Sequence, residues 1–542
     1  MTLNIVCPRW SVINALYAGI IFTIGAFTET SQAQQVQGVR PNLSLAAAMA
    51  AALSGNSGVL LARTQEDSAK GSSQTARGLF DITLNAKVGE TRTHTPLKQV
   101  TRDTILAAGQ DFHYDQTNVT IAQVEASKLF KNGLQASLLA SHTATTSNLN
   151  SFTGQPRQSI GALAFQLQIP LLRNSGNIGF ASLNAANLKT LAAREDLEFT
   201  VSKIVLRSAL AYWDYLAKTQ RLVIAYNSER RGKKSLDELR KLIAADETPR
   251  AEINLGQASQ NDRRGTRIAA EQALLVSRQK LGRVLGLNAE AAMLINELAD
   301  AFPKINSLTI DFVARKEVII ARALEVRSDL LSLRKSHEAA QILLDAAHEN
   351  GRAQLDLVLG VTQSGLAESK SPSTFGPGFG QNYGQGYSGH LVFKMPLQNN
   401  AALGLIRQKK AKLHAQRVMV NELEYEISST IVTSTYAMVH AVEQLKEANL
   451  AVKTYAMGLA NERTKRRLGL STLIDILNVE DRYNNALLSA VQARQAYASA
   501  IAQFLFNTGM LVLRQGEFYT APIAQLLNPS AINARLLMED TR

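Results

Sequence analysis

The stretch LIDILNVEDRYNNALLSAVQARQAYASAIAQF, residues 473–504, decides how the chain is read. Ile476, Val479, Tyr483, Ala486, Ala490, Ala493, Tyr497, Ala500 and Phe504 recur in alternating steps of three and four residues, which lines them along one helical face. A second stripe passes through Leu473, Leu477, Leu487, Val491, Ala498, Ile501 and Leu505. A helix lying on a core needs one stripe, whereas two stripes describe a helix packed on both flanks, as a stave is in a barrel. The alanines among them let neighbouring backbones approach closely.

Immediately upstream, Gly469 is suited to reverse the chain, because glycine readily takes the left-handed conformation that ends a helix. Thr472, with Asp475 three residues on, predicts a capping box at the start of the returning helix. Further out, no proline occurs between Pro170 and Pro249 or between Pro396 and Pro522. Proline removes a helical donor and clashes with the preceding turn, so these intervals permit very long helices. They are expected at about 177–245, 249–286, 401–468 and 472–508. At about 1.5 Å per residue the first would rise roughly 100 Å and needs neighbours along its whole length. Pro249 fits the first position of its helix after Thr248, and Glu252 is then the counterpart of Asp475 at an offset of 223 residues. Either acid stabilises a helix N-terminus by about 0.3–1 kcal/mol.

Between the helical blocks lie segments of period two. Ile82, Leu84, Ala86 and Val88 alternate with polar neighbours, as do Leu163, Phe165, Leu167 and Ile169, then Leu355, Leu357, Leu359 and Val361, then Leu391, Phe393 and Met395. The alternation suits half-buried sheet in water. It equally suits strands with lipid on one face and an aqueous lumen on the other. Strands are expected at about 79–92, 117–124, 134–142, 160–169, 354–362 and 387–395. The second and third of these form an additional hairpin around Asn132-Gly133, a turn signal because both positions tolerate positive φ. It stands either for added strands or for a longer extracellular loop.

The chain reads as two tandem repeats, 34–303 and 304–512, followed by a tail at 513–542. Leu53–Arg63 aligns without gaps to Leu324–Arg334 at an offset of 271; Ile169-Pro170-Leu171 matches Met395-Pro396-Leu397; Gly286 matches Gly509 at an offset of 223. Each half runs helix, strand pair, long helix, reversal, long helix.

Residues 1–33 have the form of a secretory leader, with Arg9, an apolar core from Trp10 to Phe27, and Ser31-x-Ala33 for cleavage. The one cysteine, Cys7, falls inside it, which leaves the expected mature chain no disulfide or thiolate metal site. The net charge of +13 is spread over helical faces without interleaved stacking aromatics, which argues against nucleic acid. Gly384-Gln-Gly386-Tyr-Ser-Gly389 matches a dinucleotide-binding glycine pattern, but it opens no helix and is expected to be a loop beside Gly376–Gly380. His337-Glu338 and His348-Glu349 lack a second histidine at zinc spacing. No enzyme, cofactor or metal site emerges.

In the strand–Pro-Leu transitions, the hairpin Arg467-Leu-Gly-Leu-Ser-Thr-Leu-Ile-Asp-Ile-Leu-Asn478 and the closing Tyr497-x6-Phe504-x4-Gly509, the chain resembles the TolC outer-membrane efflux family over roughly 44–512. The resemblance implies a homotrimer in outer-membrane lipid, each subunit giving four strands to a shared barrel and four helical staves to a periplasmic tunnel. It implies a periplasmic adaptor and an inner-membrane transporter beneath, in a tripartite efflux pump or type I secretion system. Members often carry two aspartates one turn apart at the periplasmic mouth; here Asp475 matches the first and Asn478 stands at the second. A constriction of Asp475, Asn478 and Glu252 with a single strong charge ring is therefore expected. An arginine that members often place near the turn reads Ser471 here, so either Arg467 or Arg250 substitutes for it in locking the mouth or the closed state is looser. A periplasmic coiled-coil scaffold or a surface adhesin would use the same helices without a pore.

Overall fold

The computed structural model describes residues 42–154, 157–173, 180–246, 249–305, 313–368, 384–516 and 518–528. The expected leader, Thr248 and Gly376–Gly380 lie outside the described residues. In chain order the elements are β1 (Asn42–Leu43), α1 (Leu45–Gly55), α2 (Ser57–Arg77), β2 (Ile82–Pro96), α3 (Gln99–Ala107), β3 (Tyr114–Leu129), β4 (Gln135–Ser147), α4 (Asn148–Phe152), β5 (Gln158–Pro170), α5 (Ala181–Ala244), α6 (Glu252–Val284) and α7 (Ala289–Met293). They continue with β6 (Glu297–Leu298), α8 (Lys316–Val326), α9 (Ser328–Asn350), β7 (Gln354–Glu368), β8 (Gly384–Lys394), α10 (Asn400–Arg467), α11 (Leu473–Asn507), β9 (Leu513–Gln515), β10 (Phe518–Thr520) and α12 (Ile523–Leu527).

Two proline-free rods dominate, α5 with 64 residues and α10 with 68. Each has two successive sets of neighbours. Near the sheet α5 packs against α2 and α9, and α10 packs against α9; towards the far end α5 packs against α6 and α11, and α10 against α11. Both stripes of α11 are used: Ala486, Ala490, Ala493, Tyr497 and Phe504 are buried, and so are Leu473, Leu477, Val491, Ala498, Ile501 and Leu505. Among the described residues no single helix is long and apolar enough to cross a membrane; the bent pair α1–α2 passes by length and composition only.

At mid-rod an aromatic knot fixes β1 to the segment after α6. Trp213, Tyr212 and Tyr215 are fully buried on α5. The Tyr212 hydroxyl donates to Leu43 O at 3.1 Å and accepts from the Asp300 amide at 3.1 Å. Asp300 also accepts from the Leu45 amide at 2.6 Å, so the parallel pair β1–β6 is pinned on both sides.

Two further joints resemble each other. Gly286 ends α6 at φ +78°, and a β-carbon there would lie 2.2 Å from the carbonyl oxygen of Gly55. Beside it, Asn56 Nδ2 donates to Val284 O at 2.8 Å. Gly509 ends α11 at φ +73° against Val326, and Arg327 Nη1 donates to Asn507 O at 3.3 Å.

The sheet is antiparallel throughout, with order β2-β3-β4-β5-β7-β8. Six strands replace the four that the family resemblance implies, because the extra hairpin is built into the sheet as β3 and β4. Its turn is a three-residue loop rather than a two-residue one: Phe130 N–H donates to Leu134 O at 2.7 Å and Gly133 N–H to Phe130 O at 2.9 Å. Gly133, at φ +86°, closes it. The first strand starts at Ile82, after a short 3-10 turn at Gly78–Phe80, and runs to Pro96 rather than ending near residue 92. The glycines Gly384, Gly386 and Gly389 lie within β8 itself, not in a loop, each opposite a β7 residue in the ladder. The described residues of the tail, for which the sequence offers no pattern, form the small hairpin β9–β10 and the short α12.

Candidate functional site

Both helical hairpins reverse at the end of the rods farthest from the sheet. In the second hairpin α10 ends on three cations, Lys465, Arg466 and Arg467, which face the negative end of the helix dipole. Gly469, at φ +72°, then turns the chain, with Leu470 N–H donating to Lys465 O at 2.9 Å. The returning helix opens with a complete capping box. Thr472 N–H and Oγ1 reach Asp475 Oδ2 at 2.9 and 2.6 Å, and Asp475 N–H donates to Thr472 Oγ1 at 3.2 Å. These hydrogen bonds from the Thr472 hydroxyl and amide hold the Asp475 carboxyl below the usual aspartate range. Asp475 and Asn478 are both exposed, one turn apart. Glu462 is likewise held low, chiefly by the Ser471 hydroxyl and then by Lys465.

Ser471, where an arginine would be expected, is itself gripped. Arg466 Nη1 donates to Ser471 O at 3.1 Å, while Arg467 reaches only Thr464 of its own helix at 3.2 Å. Within the hairpin, Arg466 is thus the cation bonded across the turn. Arg250 is exposed and takes part in no ion pair among the described residues.

The first hairpin departs from its expected start. Helix α6 begins at Glu252, not Pro249; Pro249 sits in the turn, and its carbonyl accepts from the Glu252 amide at 3.1 Å. Among the described residues of this turn, Asp246 lies in the left-handed region at φ +54°. Aspartate tolerates that region better than most L-residues because its short polar side chain bonds locally. Ala251 occupies the N-cap without a side-chain bond, so Glu252 lacks the capping geometry of Asp475.

The two tips are brought together by a small apolar cluster. Leu239 of α5 packs with Leu473 and Leu477 of α11, flanked by Ile243 and by Ile253 of α6. Immediately behind it lies a charged junction that the sequence reading missed. Glu480 of α11 is fully buried and receives cations from all three other rods. Arg231 of α5 donates to one carboxylate oxygen through Nε, Arg263 of α6 lies 3.2 Å from the other, and Arg463 of α10 stands 3.9 Å from the first. Asn484, also buried, accepts from Arg231 and donates to Ser228 Oγ at 2.9 Å. Arg263 extends to Asp481 at 3.1 Å. Burial raises the Asp481 carboxyl, and Arg263 opposes the shift. One carboxylate therefore joins four helices a turn and a half behind Asp475.

Solved structures supply the comparison. No family model and no curated protein matches the sequence. The chain is similar to the outer membrane protein VceC of Vibrio cholerae, with 14% identity, a TM-score of 0.62 and coverage of 86% of this chain and 96% of that one. It is also similar to the CmeC outer membrane channel of Campylobacter jejuni, at 12% identity and TM-score 0.63, covering 86% and 85% of the two chains. The open state of the MtrE outer membrane channel of Neisseria gonorrhoeae aligns at 13% identity and TM-score 0.59, covering 86% and 89%. Rods, sheet and doubled hairpins together give this chain the fold of the TolC family of outer-membrane channels.

Proposed function

We propose that the chain is one subunit of a homotrimeric channel that crosses the outer membrane and extends into the periplasm. It conducts passively what an inner-membrane transporter and a periplasmic adaptor deliver, in a tripartite efflux pump or a type I secretion system. The observation that carries this reading is the junction of a six-stranded antiparallel sheet to proline-free rods of 64 and 68 residues. Rods of this length need lateral partners, and cyclic repetition supplies them. The chain is built from two tandem copies of one unit, a reading supported by the matched joints at Gly286 and Gly509.

In this reading Asp475 lines the narrowest point once per subunit, with Asn478 one turn along and Glu252 on the neighbouring hairpin. Because Thr472 holds the Asp475 carboxyl low, the ring keeps its charge to lower pH than a free aspartate would. In planar bilayers the purified protein is expected to conduct and to be blocked by a trivalent cation. Asp475→Asn should raise the half-blocking concentration about tenfold, and Asn478→Asp should lower it comparably. Unchanged block in both variants would place the constriction elsewhere. Failure to conduct at all, or absence from the outer-membrane fraction, would favour the scaffold or adhesin.

A further inference from the structure

The added hairpin carries the same two-faced pattern as the strands around it, in register. Directly paired residues of a sheet share a face. Following the pairs across all six strands gives one row of Leu84, Ala126, Leu138, Phe165, Val361 and Tyr387. One residue along, on the opposite face, the row is Thr83, Ser127, Ser137, Gln166, Gly360 and Ser388. The first row is apolar without interruption and its large members are exposed; the second is polar or glycine. A hairpin folded out as an extracellular flap has no need to keep this alternation aligned with its neighbours. A hairpin in a membrane wall requires it. Length agrees: β3 has 16 residues and β4 has 13, against the roughly 9–11 that span a bilayer when tilted.

The outer edges of the sheet decide what closes it. Among the described residues β2, with 15 residues, and β8, with 11, each have a partner on one side only. Open edges are not tolerated in hydrocarbon, where no water satisfies the ladder. Six strands are also fewer than the roughly eight of the smallest membrane barrels, so one chain cannot close on itself. With an even number of alternating strands, β2 and β8 run in opposite directions, so β8 of one copy can continue antiparallel onto β2 of the next.

We infer that the membrane wall is an 18-stranded barrel, three copies each contributing the six-stranded sheet, rather than a 12-stranded one. The inference rests on the trimeric channel reading above. With strands about 4.8 Å apart and tilted about 40°, such a wall is about 36 Å across its backbone, against about 24 Å for twelve strands. The membrane section then sets no limit on bulky cargo, and selection by size falls to the hairpin tips.

Imaging the purified full-length protein in lipid nanodiscs, viewed down its symmetry axis, counts the strands. Eighteen are expected. A closed 12-stranded wall with β3–β4 outside it overturns the inference and leaves the channel reading standing. Any other copy number, or no closed barrel, overturns both. A second measurement needs no particle images. In a chain with Cys7→Ser, a membrane-impermeant maleimide added to intact cells should label Ser137→Cys through the lumen and spare Leu138→Cys, which faces lipid. Equal labelling of the two places the hairpin in water and refutes the wider wall.

Discussion

Glu480→Gln is expected to release the lower bundle: amide protons of α5 around Ser228–Leu239 and of α11 around Leu473–Asn484 should exchange about a hundredfold faster than in the unaltered protein. The substitution keeps the shape of the side chain and removes its charge. It leaves Arg231 and Arg263 facing each other, with Arg263 only 6% exposed. Removing one partner of a buried ion pair costs about 3–5 kcal/mol, mostly because the other is left uncompensated. About 3 kcal/mol is a little over two decades in a local opening equilibrium. Replacing the exposed end of the same network, Asp481→Asn, should change exchange less than tenfold, since Asp481 is 60% exposed where it meets Arg263 and solvent screens it. Hydrogen exchange read by mass spectrometry separates the two variants. If Glu480→Gln leaves protection intact, the leucine cluster alone holds the tips together and the charged junction is dispensable.

Gly286→Ala is expected to destabilise by about 3 kcal/mol, while Gly469→Ala costs only about 1 kcal/mol. Both glycines have positive φ, +78° and +72°, so both substitutions carry the same conformational penalty. Their surroundings differ. A β-carbon at Gly286 would stand 2.2 Å from a backbone oxygen of Gly55, which cannot rotate aside, whereas nothing lies within 4 Å of the corresponding position at Gly469. Alanine at 286 must therefore push α1 away from the end of α6 and weaken the Asn56–Val284 bond beside it. Thermal unfolding of the two variants, measured side by side in the same detergent, is the check. Equal shifts would mean that the Gly55 contact contributes nothing.

The parts of this molecule that repeat were legible in its sequence, and the parts that depend on one three-dimensional meeting were not. Proline-free intervals left room for the rods, and Gly469 divided the second interval into α10 and α11. Alternation marked the strands, and Asn132-Gly133 marked the hairpin that widens the sheet. Whether that hairpin joined the sheet depended on cross-strand register, which no single strand encodes. The charged junction left a trace that was readable as a gap. The second stripe of α11 runs Leu473, Leu477, then Leu487, Val491, and the two missing steps are 480 and 484, where Glu480 and Asn484 continue it as buried polar residues. Their partners, Arg231 and Arg263, are about 250 and 217 residues away in the chain, beyond any local pattern. The start of α6 falls three residues after Pro249, which is well suited to open a helix but here sits in the turn, its carbonyl accepting from the Glu252 amide.

The reach of α5 has a mechanical consequence. At about 1.5 Å per residue its 64 residues form a lever arm of about 96 Å. Moving its lower end outward by about 5 Å then asks for a tilt of only about 3°, well within the gentle curvature of ordinary long helices. In the proposed channel, dilation at the mouth can be shared out along the whole shaft, with no hydrogen bond of the rod broken.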